Sequence, residues 1–144
     1  MADGEDVGEV QPGLSEQYRK ASPWPMLVAF GFVISEIGVV LGLFPITVGG
    51  LVLFGGTVAG ILSESGYVQQ TWASLLAIGG VIIALGVTTI GLNVDPSALS
   101  VEVLLDVTRP FVYRGSAITA AGLCLVAVGA TIRLVQPSQA RDPP

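Results

Sequence analysis

The chain has 144 residues, of which 51% are apolar and only 12% charged, about half the ~25% charge content of soluble globular proteins. With a mean hydropathy of +0.75 and its charges gathered into short clusters, it has too little polar surface for a soluble fold of its size and reads as an integral membrane protein. A net charge of −5, no histidine, one cysteine and two methionines exclude a basic nucleic-acid surface, an intrachain disulfide, a Cys/His zinc site and bis-His or His/Met haem ligation within this chain.

Residues 1–22 are polar, with Asp3, Glu5, Asp6 and Glu9 among Gly, Gln and Pro, so a disordered first dozen is expected. An acidic start lacks the basic region of a cleavable signal peptide. "SEQYRKASPWP" then leads to the membrane, with Arg19 and Lys20 as a basic pair and Trp24 suited to the headgroup level. Four spans are predicted within a transmembrane domain of residues 23–136, at about 25–44, 46–62, 72–92 and 115–135, with residues 137–144 as a polar tail. The fold class is therefore all-α, four transmembrane helices in two hairpins.

The first two spans are divided by "GLFP", where Gly42 can end one helix and Pro45 can open the next. "SESGYVQQT" at 63–71 is a short loop, with Tyr67 inside it and Trp72 just after it as interfacial aromatics. Residues 93–114, "NVDPSALSVEVLLDVTRPFVYR", form a longer connection. Asp95-Pro96 reads as a helix start and Arg109-Pro110 as its end. The apolar stretch between them is expected on the membrane surface or across the end of the bundle. Arg19, Lys20, Arg133 and Arg141 flank the side holding both termini, against Arg109 and Arg114 on the other, so both termini are expected on the cytoplasmic side of the cell membrane.

Glycine makes up 19 of the 144 residues, and small residues recur at helical spacing as packing seams. The seams expected are Gly31, Ser35, Gly38 and Gly42 in the first span, and Gly49, Gly56 and Gly60 in the second. In the third they are Ala73, Ala77, Gly80, Ala84, Thr88 and Gly91, and in the fourth Gly115, Thr119, Gly122 and Gly129. An offset of 48 residues also aligns Trp24 with Trp72, Gly31 with Gly79 and Gly38-Val39 with Gly86-Val87. That echo points to a parallel repeat of two hairpins, although the second and fourth spans match poorly at this offset.

Glu36 is the acid within the first span. A carboxylate there is costly unless protonated, paired or hydrated. Arg133 and Arg114 fall outside the expected mid-membrane zone, so Glu36 is read as a neutral acid hydrogen-bonding at a helix or subunit interface beside Ser35. The functional alternative is a proton relay, which needs a chain of such groups. Cys124, inside the fourth span, reads as packing. Catalytic, cofactor and metal sites are expected to be absent.

Residues 18–67 carry "ASPWP", Ser35-Glu36, "GLFP", Gly49-Gly50 and "ESGY". Through these markers the chain resembles the small haloarchaeal membrane proteins described as cox-cluster proteins, named for occurring beside haem–copper terminal oxidase subunits. The acid excess with a single lysine, Lys20, fits a high-salt setting. The resemblance implies a non-catalytic accessory subunit of a respiratory oxidase, with haem and copper held by the partner core subunits and lipids as the other partners. The alternatives are an assembly factor for the oxidase and a small proton-coupled transporter using Glu36.

Overall fold

A computed structural model describes residues 22–136. The expectations for the N-terminal tail, including Arg19 and Lys20, and for residues 137–144 fall outside that range. Four helices are long and apolar enough to cross a membrane. They are α1 (Trp24–Leu41), α2 (Phe44–Glu64), α3 (Thr71–Gly91) and α5 (Pro110–Val135), with a 3-10 turn at Pro96–Ala98 and the one-turn α4 (Val101–Leu104) between the last two. The protein is an all-helical, multi-pass membrane protein.

The α1–α2 reversal is as tight as "GLFP" predicts. Gly42 takes the left-handed conformation at φ 68°, which glycine adopts without the Cβ clash of other residues. The Gly42 amide donates to Val39 O and the Leu43 amide to Gly38 O at 2.8 Å. These two bonds cap orphan carbonyls in the Schellman pattern. Pro45 then sits in the first turn of α2, where its missing N–H costs nothing.

The connection after α3 departs from expectation. It is not one surface helix: Ser100 caps only the single turn of α4 by accepting from the Val103 amide. Arg109-Pro110 is the start of the last span and not the end of a preceding helix, because proline is pre-organised for the first helical position. α5 thus begins five residues before the expected Gly115 and, at 26 residues, is about 39 Å long. The connection does cross the end of the bundle. Val94 is buried, Ser116 Oγ donates to Leu104 O at 2.7 Å, and Val107 lies beside Gly42.

α1 packs on α2 and α3 on α5, and the two hairpins meet where α2 lies against α3 and α5. Backbones touch along both seams. A Cβ added at Gly31 would stand 2.6 Å from the Phe54 nitrogen, and one at Gly38 2.6 Å from Thr47 Oγ1. In the second hairpin, Gly79 meets Val126 and Gly122 while Gly86 meets Thr119 and Gly115. Gly50 rests on Ser35 as Gly122 rests on Ile83. The offset of 48 therefore holds between α1 and α3. Between α2 and α5 it becomes 72, relating Thr47 to Thr119, Gly50 to Gly122 and Phe54 to Val126. The poor match of the second and fourth spans reflects that change of register. Most of the added length lies in the 92–109 connection and in an N-terminal extension of α5 that carries Arg114.

Two of the expected seams need correction. In α2 the tight positions are Gly50 and Gly55, whereas Gly49 has open space and Gly56 only grazes Leu125 at 3.9 Å. In α3, Ala77, Gly80, Ala84, Thr88 and Gly91 face outward, and Ser74, Leu75, Gly79 and Gly86 are buried. Adjacent glycines, Gly49-Gly50 and Gly79-Gly80, offer two candidate faces. Which one packs depends on the neighbouring helix and not on local spacing. Gly31, Ser35 and Gly38 in α1 and Gly115, Gly122 and Gly129 in α5 are buried as expected. Gly60 packs beneath the Trp24 ring.

Between the hairpins, Ala59, Leu75 and Leu125 form an apolar core with Val52, Ile78, Ile82 and Ile132 around it. Near the other end, Ser74 Oγ lies 3.1 Å from Ser63 Oγ and 3.3 Å from Ala59 O. α2 is the most enclosed span, whereas α1, α3 and α5 turn large apolar side chains such as Phe30, Leu85 and Leu123 outward, toward lipid or another protein.

Candidate functional site: an ion pair across the two hairpins

The helix start at Pro110 sets the site. It puts Arg114 one turn inside α5, and the long guanidinium arm reaches α1. Arg114 Nη2 donates to Glu36 Oε2 at 2.7 Å, with the two side chains 46% and 38% exposed. This corrects the expectation that Glu36 lacks a basic partner in its own chain. An arginine–carboxylate bond of this length is charge-assisted. Glu36 lies on the Leu41 side of the middle of α1, five positions from Leu41, about 7.5 Å along the axis.

A small cleft of about 60 Å³ adjoins the pair, lined by Ser35, Glu36, Val39, Thr47, Leu51, Arg114 and Ile118. Ser35 and Thr47 are 3% and 1% exposed. Their hydroxyls donate to Phe32 O at 2.7 Å and to Leu43 O at 3.2 Å. The close approach of α1 and α2 at Gly38 and Gly50 brings both hydroxyl-bearing residues to the edge of that seam. On the outer side of α1, Glu36 borders a groove of apolar residues, Phe32, Val33, Ile37, Val40 and Leu41.

The two interfacial tryptophans take related roles at the opposite end. Trp24 Nε1 donates to Glu64 at the end of α2, and Arg133 near the end of α5 stands 5.0 Å from the Trp72 ring centroid, within cation–π range. Cys124, read as packing, is exposed on α5 and lies outside the apolar core. Tyr67 is 85% exposed, as suits a surface anchor. Tyr113 lies in the segment that the sequence assigns to the connection before Gly115, where no helical spacing marks it as buried. It is 2% exposed and meets Phe44 edge-to-face at 5.7 Å. Its hydroxyl has no protein partner among the described residues. Among those residues there is also no group of three or more His, Cys, Asp or Glu side chains placed to hold a metal ion.

Among the described residues, four helices long and apolar enough to span a membrane, paired in two glycine-seamed hairpins that the Glu36–Arg114 pair bridges, define the class of protein. The chain belongs to DUF7541, a family of unknown function that matches residues 8–135. No curated protein and no solved structure matches it.

Proposed function

We propose that this protein is a non-catalytic accessory subunit of a haem–copper terminal oxidase, in the cell membrane with both termini cytoplasmic. The observation that carries the subunit reading is the outward small-residue face of α3. Ala77, Gly80, Ala84, Thr88 and Gly91 are exposed there, with open space above Gly80 and Gly91. Membrane helix interfaces are enriched in such residues because they let backbones approach closely, and the chain's own seams use the same device elsewhere. The resemblance to cox-cluster proteins supplies the oxidase as the partner, with haem and copper in its core subunits. Four basic residues flank the terminal side, which supports the orientation.

Mild-detergent purification of the tagged protein, followed by haem spectra and mass spectrometry, tests this reading. Stoichiometric recovery with active oxidase supports a subunit, and recovery only with immature oxidase supports an assembly factor. Absence of all oxidase subunits overturns both. Proton-coupled flux by the isolated protein in proteoliposomes, lost in Glu36→Gln, would instead support a transporter.

A further inference from the structure

The cleft beside Glu36 contains an imbalance of hydrogen-bonding groups. Glu36 Oε2 accepts from Arg114, and Oε1 accepts no hydrogen bond among the described residues. Ser35 and Thr47 have spent their only O–H donors on Phe32 O and Leu43 O, which leaves their oxygens with acceptor capacity. Arg114 bonds Glu36 through Nη2 alone, and a guanidinium has five N–H donors. Acceptors from α1 and α2 thus meet surplus donors from α5 around about 60 Å³ of space.

The chemistry of the walls selects the occupant. A cation would face the Arg114 guanidinium and an anion the Glu36 carboxylate. A lipid chain or an apolar side chain would leave Glu36 Oε1 and the spare Arg114 N–H groups without a partner, which is costly away from water. Water both donates and accepts. One molecule needs roughly 10–15 Å³ of accessible space and two to four polar partners. The cleft has the room, and Glu36 Oε1 with the spare Arg114 N–H groups supplies the partners.

We propose that this cleft is a hydration site, in which water bridges Glu36 Oε1 and the Ser35 and Thr47 oxygens to the free N–H groups of Arg114. The site hydrates an ion pair inside the membrane-spanning segments and ties α1, α2 and α5 together through solvent. It stands independently of any oxidase partner.

Water-to-protein polarisation transfer, measured by solid-state NMR on the full chain in lipid bilayers, tests the proposal. The Glu36 carboxyl carbon is compared with that of exposed Glu64. The dry reference is Thr57, which is 4% exposed and bonded to Leu53 O and Phe54 O. Glu36 is expected to gain signal from water about as fast as Glu64, and Thr47→Val, which keeps the side-chain shape, is expected to slow it by about half. Ser35→Ala is expected to act the same way and keeps the test valid if Thr47→Val disturbs the seam beside Gly38. Transfer to Glu36 no faster than to Thr57 overturns the proposal, as does transfer from lipid-chain protons in place of water. Transfer that neither variant changes also overturns it, since water would then reach Glu36 by another route.

Discussion

Glu36 and Arg114 stand 78 residues apart in the chain and 2.7 Å apart in space, and each belongs to one hairpin only. The residue matching Glu36 in α3 is Ala84, on the outer face. Arg114 lies in the part of α5 that extends beyond the start of α2 in the repeat register. The two hairpins share their seams, but this bridge is an addition to the repeated plan. It forms where α1 and α5 otherwise make little contact, so the charged side chains fasten the hairpins at this end.

That arrangement makes the pair asymmetric to mutation. Arg114→Leu strands a carboxylate within a membrane-spanning segment and is expected to destabilise the protein by about 2–3 kcal/mol. Glu36→Gln leaves an arginine close enough to the membrane surface to redirect its head toward water, so a smaller loss, about 1 kcal/mol, is expected. The double variant should cost less than the sum of the two single losses. Reversible unfolding of the four proteins in mixed micelles gives the coupling, expected at about 1–2 kcal/mol. Strict additivity would show that the pair contributes nothing.

The glycines separate into two classes by what a methyl group would meet. At Gly50 and Gly122 it would press on the facing helix backbone, at Ser35 and Ile83 respectively. Alanine at either position is expected to cost about 1–3 kcal/mol through overpacking. At Gly49 and Gly80 there is nothing within 4 Å, so alanine should be neutral or stabilise by up to ~1 kcal/mol through helix propensity. Thermal unfolding in detergent distinguishes the two classes. A loss on Gly80→Ala only when the partner complex is present would locate an intermolecular contact on α3.

Much of this architecture is legible in the sequence, because span length and turn chemistry are local properties. Pro25 to Phe44 is long enough to cross a bilayer, and Gly42 with Pro45 can only reverse the chain. The α1 seam is legible too, since Gly31, Ser35 and Gly38 have no rival small-residue face. In α2 and α3 paired glycines create two faces, and only tertiary packing chooses Gly50 over Gly49 and Gly79 over Gly80. The ion pair was hidden by one boundary. With Pro110 read as a stop, Arg114 lies in a loop; with Pro110 as the first turn of α5, it is carried to the level of Glu36.

Asp106 offers a pH-dependent reading of the loop that covers this end. The Thr108 hydroxyl donates to Asp106 Oδ1 at 2.6 Å and the Thr108 amide at 2.9 Å. These bonds, with Arg109 as a weaker contributor, hold the Asp106 carboxyl below its ordinary value. A depressed folded pKa means that the stabilising contribution is complete above the unfolded value, ~3.9, and is lost as pH falls through the lower folded one. The loop should therefore be insensitive to pH above about 4 and loosen only in stronger acid. Thr108→Val is expected to raise the Asp106 pKa, and Arg109→Gln to raise it less. NMR titration of the Asp106 carboxyl carbon reads both, and a larger effect from Arg109 would reverse the assigned causes.

Leu125 is the side chain on which the apolar contact between the hairpins turns. It is 2% exposed, covers Gly55 of α2 and belongs to the core with Ala59 and Leu75. Gly55 leaves a recess that only a side chain from the other hairpin fills, so truncating Leu125 opens a cavity that α2 cannot close by a rotamer change. Leu125→Ala is expected to cost about 2–4 kcal/mol, a loss of packing against α2 and α3 more than of hydrophobic transfer, since lipid is as apolar as leucine. The seams at Gly31–Gly50 and Gly79–Gly122 do not involve this side chain and should survive. Distances between spin labels on α1 and α5 should broaden in Leu125→Ala, while those between labels on α1 and α2 stay narrow. Broadening of both pairs would mean that the two hairpins are one cooperative unit with no separable interface.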